Sequence, residues 1–219
     1  MQLTHFGHSC LLVELDGAKI LFDPGNFSHG FEGITGLDAI LITHQHPDHC
    51  DPARLPDLIA ANPHALRYAD PQTARQLNDA DSAGEWTPAH PGQQVDIGAV
   101  TARMTGGRHA VIHPEIPVVD NVAYVLDSSQ GAGRFMHPGD SFYIPFEKVD
   151  VLALPSAAPW MKLSESVDYL RAMAPRVAVP IHQAILSDAG TGIHYSRLSE
   201  MKDAATEFAV LDQESAAEF

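Results

Sequence analysis

Positive charge is scarce in this chain: 13 Lys and Arg stand against 28 Asp and Glu in 219 residues, a formal net charge of −15. Lys and Arg nowhere cluster as a nucleic-acid footprint requires, so no nucleic-acid partner is expected. No apolar run approaches the roughly 18–20 residues that span a bilayer. The opening "MQLTHFGHSCLLVEL" lacks the basic segment and uninterrupted apolar stretch of a signal peptide. A cytoplasmic protein with no membrane partner is the expectation. Cysteine is scarce too: Cys10 and Cys50 are too few for a disulfide framework or a thiolate zinc cage. Gly/Ser linkers and low-complexity segments are missing, and the length suits one sizeable core. Residues 1–219 therefore read as a single domain.

Histidine, by contrast, is abundant at thirteen residues without a contiguous run. The stretch "LITHQHPDHC" places His44, His46, Asp48 and His49 within six positions. His44 and His46 follow the apolar run "DAILIT", at the C-terminal end of a strand, where α/β proteins place their sites. Pro47 stops a helix from running through the cluster, so the pair sits on a loop, unlike the helical histidines of an H-E-x-x-H motif. Such a loop can present His44 and His46 one way and Asp48 and His49 another. Imidazole and carboxylate donors suit Zn, Mn, Fe or Ni, and disfavour an oxygen-only Mg or Ca site. A chance cluster on a solvated loop is the competing explanation, since polar loops often carry His and Asp.

A weak internal repeat organises the chain. "GAKILFDPG" from Gly17 aligns with "GAGRFMHPG" from Gly131, "DAILIT" from Asp38 with "DVLALP" from Asp150, and "ALRYAD" from Ala65 with "VAVPIH" from Val177. Two similar halves, roughly 1–105 and 106–219, follow. "HSCLLVELDGAKILFDPG" predicts two strands around an Asp-Gly turn. Helices are predicted near Pro52–Ala61 and Pro71–Leu77, with the strand "ALRYAD" between them. In the second half, strands are predicted near Val122–Leu126, Arg134–His137 and Val149–Leu154. A helix follows over Ser164–Met173 with Ser164 as N-cap, then the buried strand "VAVPIH" and a helix over Ser196–Phe208. Strand-rich stretches with interspersed helices, twice over, indicate two packed sheets with helices outside.

H-x-H-x-D-H after a buried strand, in a chain with two similar halves, resembles the metallo-β-lactamase superfamily. Further motifs of that family occur in order: Asp23 in "ILFDPG", His109 in "TGGRHAVIHP" (with His113 as a weaker rival), Asp140 in "MHPGDS" and His182 in "VAVPIH". The N-terminal "THFGHSCLLVE" is similar to the small metal-dependent hydrolases that include the ascorbate-6-phosphate lactonase-like proteins. The resemblance implies an α/β fold, a four-layer αββα sandwich. It also implies two divalent ions, Zn foremost with Mn, Ni or Fe as alternatives. His44, His46 and His109 would hold one ion, Asp48, His49 and His182 the other, and Asp140 would bridge them. Asp48, Asp140 and His182 carry the catalytic roles, while Asp23 would orient a ligand histidine or the loop. His8 stays open between a satisfied strand histidine and a group at the metal rim. His5, His29, His64, His90, His137 and His194 have no motif support, and His137 reads as structural.

Two ions sharing a bridging hydroxide would hydrolyse a small ester, lactone or phosphoester. The implied partner is thus a small-molecule substrate, and a homo-oligomer is compatible with the sequence. Trp160 in "SAAPWMK" is a candidate cover for the pocket, with packing as the plainer reading. Arg108, His113 and Lys162 are candidates for an anionic substrate group. On the same fold, a mononuclear iron sulfur dioxygenase and a non-catalytic metal-binding protein are the competing functions. A flavodiiron oxidoreductase is disfavoured by His46 and the missing flavodoxin domain. An RNA-processing nuclease is disfavoured by the acidic charge.

Overall fold

A computed structural model describes residues 1–80 and 84–219. In chain order the strands begin with β1 (Gln2–His5), β2 (Leu11–Leu15), β3 (Ala18–Phe22) and β4 (Ala39–Ile42). After helix α1 (Leu55–Ala61) come β5 (Leu66–Ala69), helix α2 (Pro71–Asp79), β6 (Thr87–Pro88), β7 (Gln94–Ile97) and β8 (Val100–Gly106). The remainder is β9 (Val122–Ser128), β10 (Arg134–His137), β11 (Val151–Pro155), helix α3 (Leu163–Met173) and β12 (Val177–Ile181), then helix α4 (Asp188–Met201), β13 (Glu207–Phe208) and β14 (Ala216–Glu218). They form two seven-stranded sheets, ordered β14-β1-β2-β3-β4-β5-β6 and β7-β8-β9-β10-β11-β12-β13. Read in these orders, each sheet has three antiparallel pairings followed by three parallel ones. The sheets divide the chain between Pro88 and Gln94, not near residue 105, and the C-terminal β14 returns to the first sheet.

Alternation along the strands builds the layers. In β4, Ala39 and Leu41 join the core between the sheets, while Ile40 and Ile42 face Leu55, Leu58, Ala74 and Leu77 of α1 and α2. In β11, Val151 and Ala153 point to the same central core, and Leu152 and Leu154 meet Val167, Leu170, Met173 and Leu198 of α3 and α4. Helix, sheet, sheet and helix are thus stacked in four layers, the αββα arrangement. The β2–β3 hairpin turns through Asp16 (φ 49°) and Gly17 (φ 85°), positive at both central residues as a tight hairpin turn requires.

Three helix boundaries differ from the sequence expectation. α1 begins at Leu55 because Asp51 ties residues 51–54 into a turn, accepting from the Ala53 and Arg54 main chain and from Arg54 Nε. α3 is capped by Lys162, not Ser164, with the Glu165 carboxylate accepting from the Lys162 N–H at 2.6 Å. The helix expected over Ser196–Phe208 lies instead at Asp188–Met201, where Ser187 caps it by accepting from Gly190 N–H. Gly190 and Gly192 lower the helix propensity of that segment and hid its start. Phe208, in contrast, is drawn into β13 against β12.

Asp70 caps α2, accepting from Gln72 and Thr73 N–H at 3.0 and 3.2 Å. Its side chain is almost wholly buried, with Oδ2 unpaired. Burial, helped by nearby Asp120, pushes its carboxyl up to about 6 although the capping bonds oppose the rise. Below about pH 4 the group is protonated in both folded and unfolded chains. Between there and about pH 6 the unfolded chain ionises while the folded one holds its proton, so stability falls as pH rises. Asp70→Asn should therefore stabilise the fold by roughly 1–2 kcal/mol at pH 8 and give little gain at pH 4. Urea denaturation of variant and wild type at both pH values checks this; an equal effect at the two would disprove it.

Candidate metal centre

The site gathers at one end of the sandwich because of strand sense. In the first sheet β1, β3, β4 and β5 run the same way, and in the second β8, β10, β11 and β12 do. Each functional side chain follows the C-terminal end of one of these strands. His8 comes after β1, Asp23 after β3, the His44–His49 loop after β4, His109 after β8, Asp140 after β10 and His182 after β12.

Two donor clusters result. His44, His46, His109 and Asp140 form one, and His8, Asp48, His49 and His182 the other, with the donor atoms of each within 4.8 Å of one another. The loop after β4 divides between them as its sequence suggests, with Pro47 between the two pairs. Asp140 touches both: Oδ2 lies 3.2 Å from His109 Nε2, while Oδ1 lies 3.1 Å from His49 Nε2 and 3.2 Å from His182 Nε2. Asp48 Oδ2 sits 2.9 Å from His8 Nε2 and 3.4 Å from His182 Nε2. His8 is therefore inside the second cluster, which its sequence context left open.

Hydrogen bonds at the far side of the rings fix which nitrogen faces inward. Asp23 Oδ2 accepts from His49 Nδ1 at 2.7 Å and from Thr43 Oγ1 at 2.8 Å, and Oδ1 accepts from Thr43 N–H at 2.7 Å. Thr43 Oγ1, its proton given to Asp23, accepts in turn from His44 Nδ1 at 3.1 Å. His109 Nδ1 donates to the Ala110 carbonyl at 2.6 Å. These three histidines are thereby held with Nε2 turned inward, towards His46 Nδ1 for His44 and towards Asp140 for His49 and His109, the arrangement that outer hydrogen bonds impose on metal ligands. His109 Nε2, Asp140 Oδ1, His8 Nδ1 and both nitrogens of His182 are buried without a hydrogen-bond partner. Unpaired buried donors are rare in folded proteins. Here the orphaned Nε2 and Oδ1 atoms converge where cations would satisfy them, so the residues present fit divalent ions.

Charge at the centre is unevenly shared. Burial favours a neutral Asp140, but the adjoining His182 and His49 outweigh it and hold the carboxyl well below the usual range. Asp48 is held down in the same way by the adjoining His182 and by the hydrogen bond from His8. Burial lowers His49 too, yet Asp140 and Asp23 carry it well above its ordinary value, and Asp140 and Asp48 raise His182 to about 9. His44 is pushed well down by burial and by His49, and burial takes His8 to about 4. A cation can be held only by imidazole nitrogens that carry no proton, so ion binding at these histidines is coupled to proton release.

The backbone is shaped to fit. His8, Asp23 and His182 have φ of 49°, 45° and 68°, left-handed conformations that cost a non-glycine residue energy and collect at functional sites. His182 N–H donates to the His8 carbonyl at 2.9 Å, tying the two sheets together at the site. His5 Nε2 donates to the same carbonyl, and His137 Nε2 donates to the Ser9 carbonyl, each at 2.9 Å, so both histidines brace the His8 turn. Gly25 admits the ligand loop: a Cβ there would lie 1.9 Å from the Asp48 carbonyl oxygen.

Sequence reasoning missed Thr43 and Asn121, whose Oδ1 accepts from the Asp140 N–H at 3.0 Å. Thr43 had a weak signal, a hydroxyl closing an apolar strand just before His44; Asn121 had none. Trp160 reaches the centre, donating from Nε1 to Asp140 Oδ2 at 2.7 Å. Arg108, His113 and Lys162 are exposed and lie outside both clusters.

Comparison with known proteins agrees with this geometry. Residues 2–182 match the family described as "Beta-lactamase superfamily domain", and the chain belongs to that family. The protein is thus a metal-dependent hydrolase of the metallo-β-lactamase superfamily by fold, donor set and relatives. Protein Rv0786c of Mycobacterium tuberculosis is 59% identical over 219 residues, covering 100% of both chains. A "UPF0173 metal-dependent hydrolase" of Carboxydothermus hydrogenoformans is 28% identical over 198 residues, covering 83% of this chain and 84% of its own. In structure, the metallo-β-lactamase fold protein YhfI from Bacillus subtilis superposes with a TM-score of 0.75 at 17% identity, covering 100% of this chain and 98% of that one.

Asp23→Asn keeps the shape of the side chain and removes the charge that orients His49. Ion affinity, measured by competition with a chromophoric chelator, should fall about 10–100-fold while the circular dichroism spectrum is retained. Unchanged affinity would show that Asp23 serves the fold alone.

Proposed function

We propose that the protein is a dinuclear hydrolase that cleaves a small ester or lactone, with a phosphoester as the second substrate class. One observation carries this reading: the two oxygens of Asp140 face different donor clusters, as a carboxylate shared by two ions must. His44, His46 and His109 would hold the first ion, and Asp48, His49 and His182 the second, with His8 as a further donor. A bound pair of divalent ions supplies Lewis acidity and lowers the pKa of water near neutrality.

The chain's own groups have separable tasks. Asp48, 19% exposed, reaches the solvent side, whereas His8, His49 and His182 are essentially buried. It would accept a hydrogen bond from the attacking water and orient it, while His8 and His182 lie against its Oδ2. The buried imidazoles exclude bulk solvent from that water. Among the described residues no Lys or Arg hydrogen-bonds a member of either cluster, which favours a neutral carbonyl over a phosphoryl group. Phe27, half exposed, meets the His8 ring edge-on at 5.2 Å and offers an apolar wall for the acyl part.

The test is a screen of zinc- and manganese-loaded protein against lactones, aryl esters and phosphodiesters, with metal content measured on the same samples. Two ions per chain, hydrolysis abolished by chelator and restored by metal, and loss of roughly 100-fold or more in Asp140→Ala are the expected results. The backbone bonds of Asp140 to Asn121 and Ala110 remain in that variant, so it should fold. A single iron per chain with oxygen consumption and sulfite formed from a persulfide would replace hydrolysis by dioxygenation.

A further inference from the structure

Trp160 lies on the loop between β11 and α3, and its indole N–H makes the shortest contact of the Asp140 carboxylate, 2.7 Å to Oδ2. The three histidine nitrogens around that carboxylate stand at 3.1–3.2 Å. An indole nitrogen donates one hydrogen bond and accepts none, so it cannot become a ligand itself. It occupies one lone pair of Oδ2 and leaves the other directed at His109. A carboxylate can turn about its terminal torsion and exchange its oxygens. A short hydrogen bond to the charged group, placed on one oxygen only, removes that freedom.

The ring is held from outside the site. Phe142 meets it edge-on at 4.9 Å, and Phe142 packs in turn on Tyr169 of α3 at 4.9 Å. Tyr169 donates its hydroxyl proton to the Tyr143 carbonyl at 2.7 Å, closing the support. On the other side the indole stands edge-on to His109, ring centres 6.3 Å apart. A tryptophan serving packing alone would have no need to spend its donor on the one acid shared by both clusters.

We propose that Trp160 is a positioning residue: through its indole N–H it fixes the orientation of Asp140 and so sets the affinity of the centre for its ions. This rests on the dinuclear reading above. The test uses the full chain labelled with nitrogen-15, which has two tryptophans, Trp86 and Trp160, and so two indole N–H signals. The signal lost in Trp160→Phe identifies Trp160. Added zinc should move that signal and leave the Trp86 signal in place. Trp160→Phe, which keeps an aromatic ring against Phe142, should bind zinc about 10–100-fold more weakly, with the thermal midpoint of the metal-free protein unchanged. Wild-type zinc affinity in Trp160→Phe, or a Trp160 signal that stays still while zinc is bound, would overturn the inference and leave the dinuclear reading standing. A wild-type chain that binds no zinc or manganese would overturn both.

Discussion

A carboxylate with no solvent exposure is costly unless every oxygen is hydrogen-bonded, and Asp23 meets that condition in a way that builds the site. Its oxygens take the Thr43 N–H, the Thr43 hydroxyl and His49 Nδ1. One buried charge at the end of β3 thereby sets the start of the loop after β4, the tautomer of His49 and, through Thr43 Oγ1, that of His44. The two histidines belong to different clusters. Their inward nitrogens are thus aligned by the same anion, and the left-handed backbone at Asp23 is the conformational cost of bringing it there.

The two sheets place the rest. Because their strand orders and senses correspond, β1 matches β8, β3 matches β10, β4 matches β11 and β5 matches β12. His8 after β1 then occupies the position of His109 after β8, while Asp23 and Asp140 follow the matched strands β3 and β10 at different distances, one residue and three residues beyond their ends. Each sheet thus supplies an imidazole and a carboxylate beyond the ends of matched strands. The pairs differ in depth: Asp23 makes hydrogen bonds only behind the histidines, whereas Asp140 lies between the clusters. The correspondence fails at β5 and β12. His182 enters the second cluster, but Asp70 is turned away to cap α2. A single centre at the junction has room for one of them.

Most of this was legible where chemistry and periodicity coincide. His44, His46, Asp48 and His49 are spaced on a loop after an apolar strand, and the continuous apolar run "DAILIT" reads as a strand covered on both faces. His109, Asp140 and His182 came from resemblance, because nothing local in "GRHA" or "VPIH" marks a ligand. His8 could not be decided, since a buried histidine in a strand–turn segment looks the same whether it braces the backbone, as His5 and His137 do, or joins a cluster. Thr43 and Asn121 act through hydrogen bonds to Asp23 and Asp140, groups distant in sequence, which no spacing reveals. α4 was displaced because two glycines blur its start and Leu198 is the residue it buries.

The correspondence also bears on the loops after β4 and β11. The first carries the donor residues from His44 to His49; the second carries Trp160. Equivalent positions at the same end of the sandwich thus give donor residues from one sheet and, from the other, an indole hydrogen-bonded to the carboxylate that touches both clusters. If the second loop also carried histidines, they would crowd a centre that already gathers eight donor residues, and the imidazoles would repel one another once protonated. A tryptophan avoids both problems: it adds no charge, it cannot coordinate, and its one donor is matched to the acceptor left over on Asp140. The asymmetry between the loops is what allows two similar sheets to share a single centre.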